Sequence, residues 1–551
     1  MLLQGSILAA ASLIVRLIGL VYRIPLTRIV GDEAMGYYST AFEFYNLALL
    51  LSSYSLPLAV SKLVSSRQVT GRHVDSRRVL RVGLCFGLIV GGLASSLVYF
   101  GADVYARFNN SPGIAIPLRV LAPTIFVFAV MGVVRGFFQG YGNMVPTALS
   151  QIIEQIVNAA VSVGAAVIMM KKYADDPMVS AYGAAGGTWG TFLGACAGAF
   201  TLVAIFLIQR KGYAQKVAGD RDREAERYGQ ILKILLITVI PVVISQTVYQ
   251  ISGTVDVSIF HRTMSKKGID DETRNIWLGI YSNKYRLLTN VPVAIASAMG
   301  TAIVPSLVAE IAAGRKHKIN EKIASAVKFN MIIAFPCAFG LMALGGPILE
   351  MLYGDRRVLS IEMLNVGGMA VVFFALSTVT NGVLQGINHM FLPVWHSLIA
   401  LLVHCGVLAV LLNFTELDAM ALVACNILFA LIVCILNAVS IRKLCGYRQE
   451  WRCTFIIPLI CSAIMGAFSD ISYRLLLKLM QMAMPNRTVV NNSVSCVLTI
   501  GGCVFVYFAA LLLLGGVTAK EIREMPKGRT IASVLMKLRL LKDDSEDVSK
   551  E

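Results

Sequence analysis

Charge is scarce in this sequence: only 15% of its 551 residues are Asp, Glu, Lys or Arg, while 56% are hydrophobic. With a mean hydropathy of +0.70, the chain has too few charges to clothe a water-soluble globule of its size. Paired cysteines are missing as well. None of the eleven cysteines forms a CxxC pair, and most, such as Cys85, Cys196, Cys337, Cys425 and Cys434, lie inside apolar runs. That excludes a disulfide frame or a thiolate metal site and leaves them as small apolar side chains. There is no phosphate-binding GxxxxGK[ST] loop, no HExxH and no nucleophile elbow, so an ATP-driven pump, a zinc hydrolase and a serine hydrolase have no residues to stand on. Two-residue alternation is also lacking, which argues against a barrel. The remaining way to satisfy backbone groups in lipid is a helical bundle.

What the chain has in abundance is long apolar runs. About fourteen are expected, near 4–27, 36–61, 81–102, 117–140, 145–170, 185–208, 230–258, 276–308, 324–346, 362–386, 391–413, 418–441, 453–480 and 492–516. Each is long enough for a hydrocarbon core of roughly 30 Å, which takes about 20 helical residues. The first lacks a basic leader and a small-residue cleavage site and is retained. The expected architecture is an all-α polytopic membrane protein with two pseudo-symmetric six-helix lobes, 1–216 and 217–445, two extra helices over 446–516 and a polar tail over 517–551.

The net charge of +17 is concentrated in particular connections. Lys62, Arg67, Arg72, Arg77, Arg78 and Arg81 crowd the second; Arg210, Lys211, Lys216, Arg221, Arg223 and Arg227 the sixth; Arg315, Lys316, Lys318 and Lys322 the eighth; Arg442, Lys443, Arg448 and Arg452 the twelfth. Lys520, Arg523, Lys527 and Arg529 follow in the tail. All fall on one side of a fourteen-span chain, so the positive-inside rule makes both termini cytoplasmic. The seventh connection departs from the pattern, with Arg262, Lys266, Lys267 and Arg274 on the opposite side.

The lobes are read from a repeat. RGFFQGYGNMVP begins at Arg135 and NGVLQGINHMFLP at Asn381, 246 positions later, with Gly136, Gln139, Gly140 and Met144 in register with Gly382, Gln385, Gly386 and Met390. GYYS at Gly36 and GIYS at Gly279 form a second echo in the same order. Duplicated bundles in transporters rock against each other about a midplane site, which points to transport.

Charges within the spans narrow the cargo. Arg16 lies about 18 Å along the first helix, near mid-membrane, and Arg23 lies two turns further on the same face. A central arginine costs roughly 2.5–3.5 kcal/mol to insert, so it faces a partner, a cavity or water. Arg135, Lys284 and Arg286 add to the cationic excess; snorkelling to headgroups is an alternative for Lys284 and Arg135. The acids Glu43, Glu154 and Asp256 serve either as counter-ions or in ion coupling. His396 and His404 read as packing or headgroup-facing residues. A wet cavity lined by guanidiniums suits an amphiphilic diphosphate, whose oxygens a planar fork takes two at a time.

The stretches RLIGLVYRIPLTRIVGDEAMGYYSTAFEFYNL, LPLAVSKLV, RGFFQG and YSNKYRLLTNVPVAIASAMGTAIVPSLVAE resemble the polysaccharide-transporter branch of the multidrug/oligosaccharidyl-lipid/polysaccharide (MOP) exporter superfamily. Over residues 1–516 the chain is most similar to lipid II flippases of the MurJ type, in the Gram-positive group that includes stage V sporulation protein B. The resemblance implies two six-helix lobes, a lipid-tail groove from the last two helices, a cationic headgroup cavity and a bacterial plasma-membrane location. It makes Arg16, Arg23 and Arg286 the residues that grip pyrophosphate. In span two, where the enterobacterial type carries another arginine, this chain has Tyr54 and Ser55.

A lipid II flippase moving its cargo from the inner to the outer leaflet is thus the leading expectation. It is a transporter and not an enzyme, with lipid-linked substrate, membrane lipids and other cell-wall synthesis proteins as expected partners. No cofactor is implied, and a sodium or proton gradient or the membrane potential is left open as the driving force. Alternatives are a flippase for capsule, teichoic-acid or spore-cortex precursors, a polyprenyl-phosphate glycosyltransferase and a cation-coupled drug exporter. The glycosyltransferase has only Asp32 and Glu33 as an outer acidic pair, and the drug exporter would want an acid where the first helix has arginines.

Overall fold

The computed structural model describes residues 2–220, 225–312 and 315–517. The helices are α1 (Leu2–Leu49), α2 (Leu56–Val69), α3 (His73–Phe108), α4 (Ala115–Gly140), α5 (Val145–Lys172), α6 (Val179–Ala218), α7 (Tyr228–Lys266), α8 (Asp271–Ile280), α9 (Arg286–Ala312), α10 (Lys316–Tyr353), α11 (Val358–Gly367), α12 (Ala370–Gly386), α13 (Leu392–Phe414), α14 (Ala419–Cys445), α15 (Ile457–Ala483) and α16 (Thr488–Leu513). No strand occurs among the described residues. The expected polar tail from Lys520 onward lies outside them, as do Arg221 and Arg223.

Each of the fourteen expected segments falls on helix. Among the described residues, ten helices are long and apolar enough to cross a membrane, or eleven if α11 and α12, bent by 41° from each other, form one crossing. That count treats residues 10–69 as one stretch. At 1.5 Å per residue the 48 residues of α1 would run about 72 Å, over twice a bilayer core. Gly31 interrupts it with φ 81° and ψ 173°, a conformation open to glycine because it has no Cβ. The break falls between the first and second expected spans.

Packing divides the chain inside the eighth span: one compact unit comprises residues 1–283 with 408–418, the other 284–407 with 419–551. The core of the first includes Leu26, Met35, Tyr38 and Tyr45 of α1 with Leu118 and Leu121 of α4. That of the second joins Met331 and Phe335 of α10 to Val371, Val379 and Leu384 of α12, and Tyr507 of α16 packs with Cys461 and Met465 of α15.

The repeated phrase encodes a repeated turn. Gly142, after α4, has φ 76°, and Asn388, 246 positions later and after α12, has φ 65°. The amide of Asn143 donates to the carbonyl of Phe138 at 3.1 Å, and that of His389 to Leu384 at 3.0 Å. Gly142 donates to Gln139 as Asn388 does to Gln385. Both copies thus end their helix in a Schellman motif, the left-handed residue being Gly in one and Asn, the next most tolerant, in the other.

The basic residues of the seventh connection are locally engaged. Arg274, 4% exposed, donates to the carbonyls of His261 (3.0 Å) and Asn110 (2.9 Å) and to Asp271 (3.2 Å). Lys267 donates to the carbonyl of Thr415 at 2.9 Å, and the Arg262 guanidinium lies 4.6 Å above the Phe108 ring. Asp270 caps α8 by accepting from the Thr273 amide at 2.8 Å, and the helix-terminal hydrogen bonds hold its carboxyl below the usual range.

Candidate functional site

Two of the expected cations lie on α1 ahead of the Gly31 break. Arg16 is exposed, with no ion pair among the described residues. Arg23, seven positions on, is half-buried, its guanidinium 5.8 Å from the Phe42 ring centroid. Phe42 lies beyond the break, so the bend returns an aromatic face to the same helix's arginine and gives it a cation–π contact. Glu43 follows. Its carboxylate lies against Gly253 of α7, where a Cβ would collide with it, and its backbone carbonyl accepts from the Thr254 hydroxyl at 3.2 Å. Asp256, buried one turn beyond Ser252, has that hydroxyl 3.5 Å from Oδ2. Glu43 and Asp256 therefore sit on adjoining stretches of α1 and α7.

Arg135 and Glu154 are brought together. Arg135 Nη2 lies 2.7 Å from Glu154 Oε2, and its Nε donates to Ser150 Oγ at 3.0 Å. Arg135 is 8% exposed, so its charge is neutralised inside the first unit. The second copy answers with an amide and an imidazole at the corresponding positions: Asn381 stands for Arg135 and His396 for Ser150, at the same offset of 246. Asn437 links them, donating to Asn381 Oδ1 at 2.8 Å, with its own Oδ1 2.7 Å from His396 Nδ1. His396 Nε2 lies 3.1 Å from Ser440 Oγ, so both ring nitrogens are engaged. The two bundles meet one packing requirement, a bridge from the end of one helix to its neighbour, with an ion pair in one and amides and imidazole in the other.

In the second unit Lys284 is 3% exposed and its Nζ lies 2.5 Å from Asp355 Oδ2. Asp355 also accepts from Ser360 Oγ at 2.6 Å and from Arg357 Nε at 3.0 Å. Sequence reasoning missed Asp355, which lies 71 positions away in the connection between α10 and α11 and has no spacing signal to betray it. Arg286 is half-buried and opens α9 directly after a wide π-type turn over Tyr281–Tyr285. Its carbonyl accepts from Thr289 Oγ1 at 3.2 Å, and the preceding Tyr285 hydroxyl donates to Asn426 at 3.1 Å. Among the described residues no group of three His, Cys, Asp or Glu side chains has the placement to hold a metal.

Comparison with known proteins agrees with this architecture. Residues 2–309 match the family model described as polysaccharide biosynthesis protein, and residues 286–410 match the MatE model. The chain is 26% identical over 481 residues to the lipid II flippase MurJ of Bacillus subtilis (strain 168), covering 84% of this chain and 87% of that one. Stage V sporulation protein B of the same organism is 23% identical over 478 residues, covering 85% and 89%. Among solved structures, a lipid II flippase MurJ in an inward closed conformation superposes with TM-score 0.65 at 14% identity, covering 91% of this chain and 97% of that one. An inward-facing multidrug resistance MATE family transporter of the MOP superfamily gives TM-score 0.64 at 17% identity, covering 78% and 95%. These likenesses to solved structures concern the fold. With more than half its length matched by the family model, the chain belongs to the polysaccharide biosynthesis protein family, as a MurJ-like multi-pass membrane transporter of the MOP superfamily and not an enzyme.

Proposed function

We propose that this protein flips lipid II, the undecaprenyl-pyrophosphate-linked peptidoglycan precursor, from the inner to the outer leaflet of the bacterial plasma membrane by alternating access. The observation that carries the reading is the contrast among the intramembrane cations. Arg135 and Lys284 each have a carboxylate within 2.7 Å, whereas Arg16 is exposed without an ion pair among the described residues. A buried pair has its charge answered internally, while a guanidinium held at bilayer depth needs water or an anion. Arg16 therefore leads as the headgroup-binding residue, Arg23 and Arg286 stand beside it on the family resemblance of their stretches, and Arg135 and Lys284 become supports of the fold. Relatives named lipid II flippase favour the peptidoglycan precursor.

Glu43 and Asp256 are the residues proposed for coupling to Na+ or H+, because the Glu43 carboxylate lies against Gly253 of α7 and buried Asp256 lies three residues further along the same helix. Membrane potential acting on the arginines is the other proposed drive. A second cargo, another lipid-linked oligosaccharide, follows from the family's description as polysaccharide biosynthesis proteins. It offers the same diphosphate to the same arginines.

The test is reconstitution in liposomes with labelled lipid II, comparing wild type with Arg16→Ala, Arg16→Lys and Arg286→Ala at equal incorporation. Losing two charge-assisted hydrogen bonds of about 1.5–3 kcal/mol each predicts at least a tenfold slower flip for Arg16→Ala, with Lys only partly restoring it. Wild-type rates in Arg16→Ala would overturn the assignment. Transport of a teichoic-acid or capsule precursor in place of lipid II would move the reading to the second cargo.

A further inference from the structure

The connection between α6 and α7 is tied at both ends to the α2–α3 hairpin. Asp220, just past α6, accepts from the Val74 amide at 2.8 Å. Glu226, just before α7, sits among arginines: Arg67 Nη2 pairs with its Oε2, Arg72 Nη1 lies 3.2 Å from Oε1, and Arg78 Nη1 donates to its carbonyl at 2.6 Å. Its own amide donates to Asp75 Oδ1 at 2.8 Å, and Arg72 Nε holds the other oxygen of Asp75 at 2.7 Å. The side chains of Arg67 and Asp75 are 7% and 3% exposed, so these are not surface pairs screened to insignificance. Arg78 also stacks over the Tyr228 ring at 5.1 Å, in the first turn of α7.

The same helix meets Glu43 at Gly253, 25 residues and about 38 Å further along. Pro241 lies between the clamped first turn of α7 and Gly253, so a shift at the clamp reaches Gly253 through a helix with a hinge point at the proline. We infer that Glu226 is a positioning residue for transport: its carboxylate latches the start of α7 to the α2–α3 hairpin, and opening of that latch sets how readily α7 moves against Glu43. Arginine forks, which stay charged at every physiological pH, make the latch respond to ionic strength and to the carboxylate's charge. The latch stands on the geometry alone; its transport consequence rests on the flippase reading.

The experiment uses the full-length protein in liposomes, with hydrogen–deuterium exchange over residues 66–80 and 225–235 read beside flip rates. Glu226→Gln is expected to speed exchange in both segments at least tenfold. The wild type moved from 50 to 500 mM NaCl should shift in the same direction, and Glu226→Asp, which keeps the charge on a shorter arm, should keep more protection than Glu226→Gln. The flip rate constant of Glu226→Gln should change at least threefold with substrate affinity unaltered. Exchange that is the same in Glu226→Gln as in wild type overturns the latch; should that variant not fold, wild-type exchange indifferent to salt overturns it alone. Loosened exchange with an unchanged flip rate overturns the positioning role. A wild type that exchanges as expected but does not move lipid II refutes the cargo and leaves the latch supported.

Discussion

Gly36 and Gly279, the matching glycines of GYYS and GIYS, meet backbone to backbone where α1 crosses α8: a Cβ on Gly279 would come within 3.1 Å of the Gly36 nitrogen and strike the carbonyl of Asp32. A Cβ on Gly36 would strike the carbonyl of Asn275 in turn. The second echo of the repeat is therefore a contact as well as a likeness. Small residues let transmembrane helices approach to backbone distance, and each of these helices places one at the crossing. Gly36→Ala or Gly279→Ala must push the helices apart. Overpacking of this kind costs about 1–3 kcal/mol, visible as a lowered melting temperature of the detergent-purified protein. Melting at the wild-type temperature in both variants would refute the contact.

Glu154 compensates the Arg135 charge within the first unit, with Nη2 2.7 Å from Oε2. Glu154→Ala is expected to destabilise by about 3–5 kcal/mol, because it leaves a buried guanidinium unpaired. The second copy suggests a remedy: Arg135→Asn added to Glu154→Ala removes the orphaned charge, as Asn381 and Ala400 stand at the matching positions. The double variant should recover most of the loss in a thermal unfolding series. Equal instability of single and double variants would show that the ion pair is not the source of the effect.

Asp355 predicts a pH profile. Burial raises its pKa, but the hydrogen bonds from Lys284, Ser360 and the Arg357 amide outweigh burial and hold the carboxyl below its ordinary value of 3.8. A depressed folded-state value means the stabilisation is complete above the ordinary carboxylate range and is lost as pH falls through the folded value, below 3.8. This site's contribution to the melting temperature should thus stay constant between pH 7 and pH 5 and fall only in stronger acid. Asp355→Asn should melt lower throughout the neutral range, by the roughly 3–5 kcal/mol of an orphaned buried ammonium, and the gap from wild type should close as the medium is acidified. A gap that closes near neutrality would contradict the assignment.

Arg274 pins the α3–α4 connection to the last turns of α7 through three backbone carbonyls, at His261, Asn109 and Asn110. Arg274→Lys keeps the charge but loses the fork, and it should free the connection between α3 and α4. Limited proteolysis or hydrogen exchange over residues 107–113 should rise severalfold in Arg274→Lys, while exchange in α15 and α16 stays at the wild-type level. Unchanged exchange over 107–113 would mean the clamp is dispensable.

The sequence by itself determined the class of molecule. Helices follow from apolar runs because lipid offers the backbone no other partner, and the repeated turn is legible because equal turns demand residues that tolerate the same left-handed conformation, Gly142 in one copy and Asn388 in the other. Arg16, Arg23, Arg135, Lys284 and Arg286 were legible as anomalies, since a charge in an apolar run stands out wherever it folds. Only the tertiary structure decided which anomalies are neutralised. Arg135 meets Glu154 nineteen positions on and Lys284 meets Asp355 seventy-one positions on, and neither distance follows from helical periodicity. An ion pair between helices depends on which faces meet, and that is fixed by side-chain packing and close glycine crossings summed over the whole unit, for which no single stretch of sequence carries a mark.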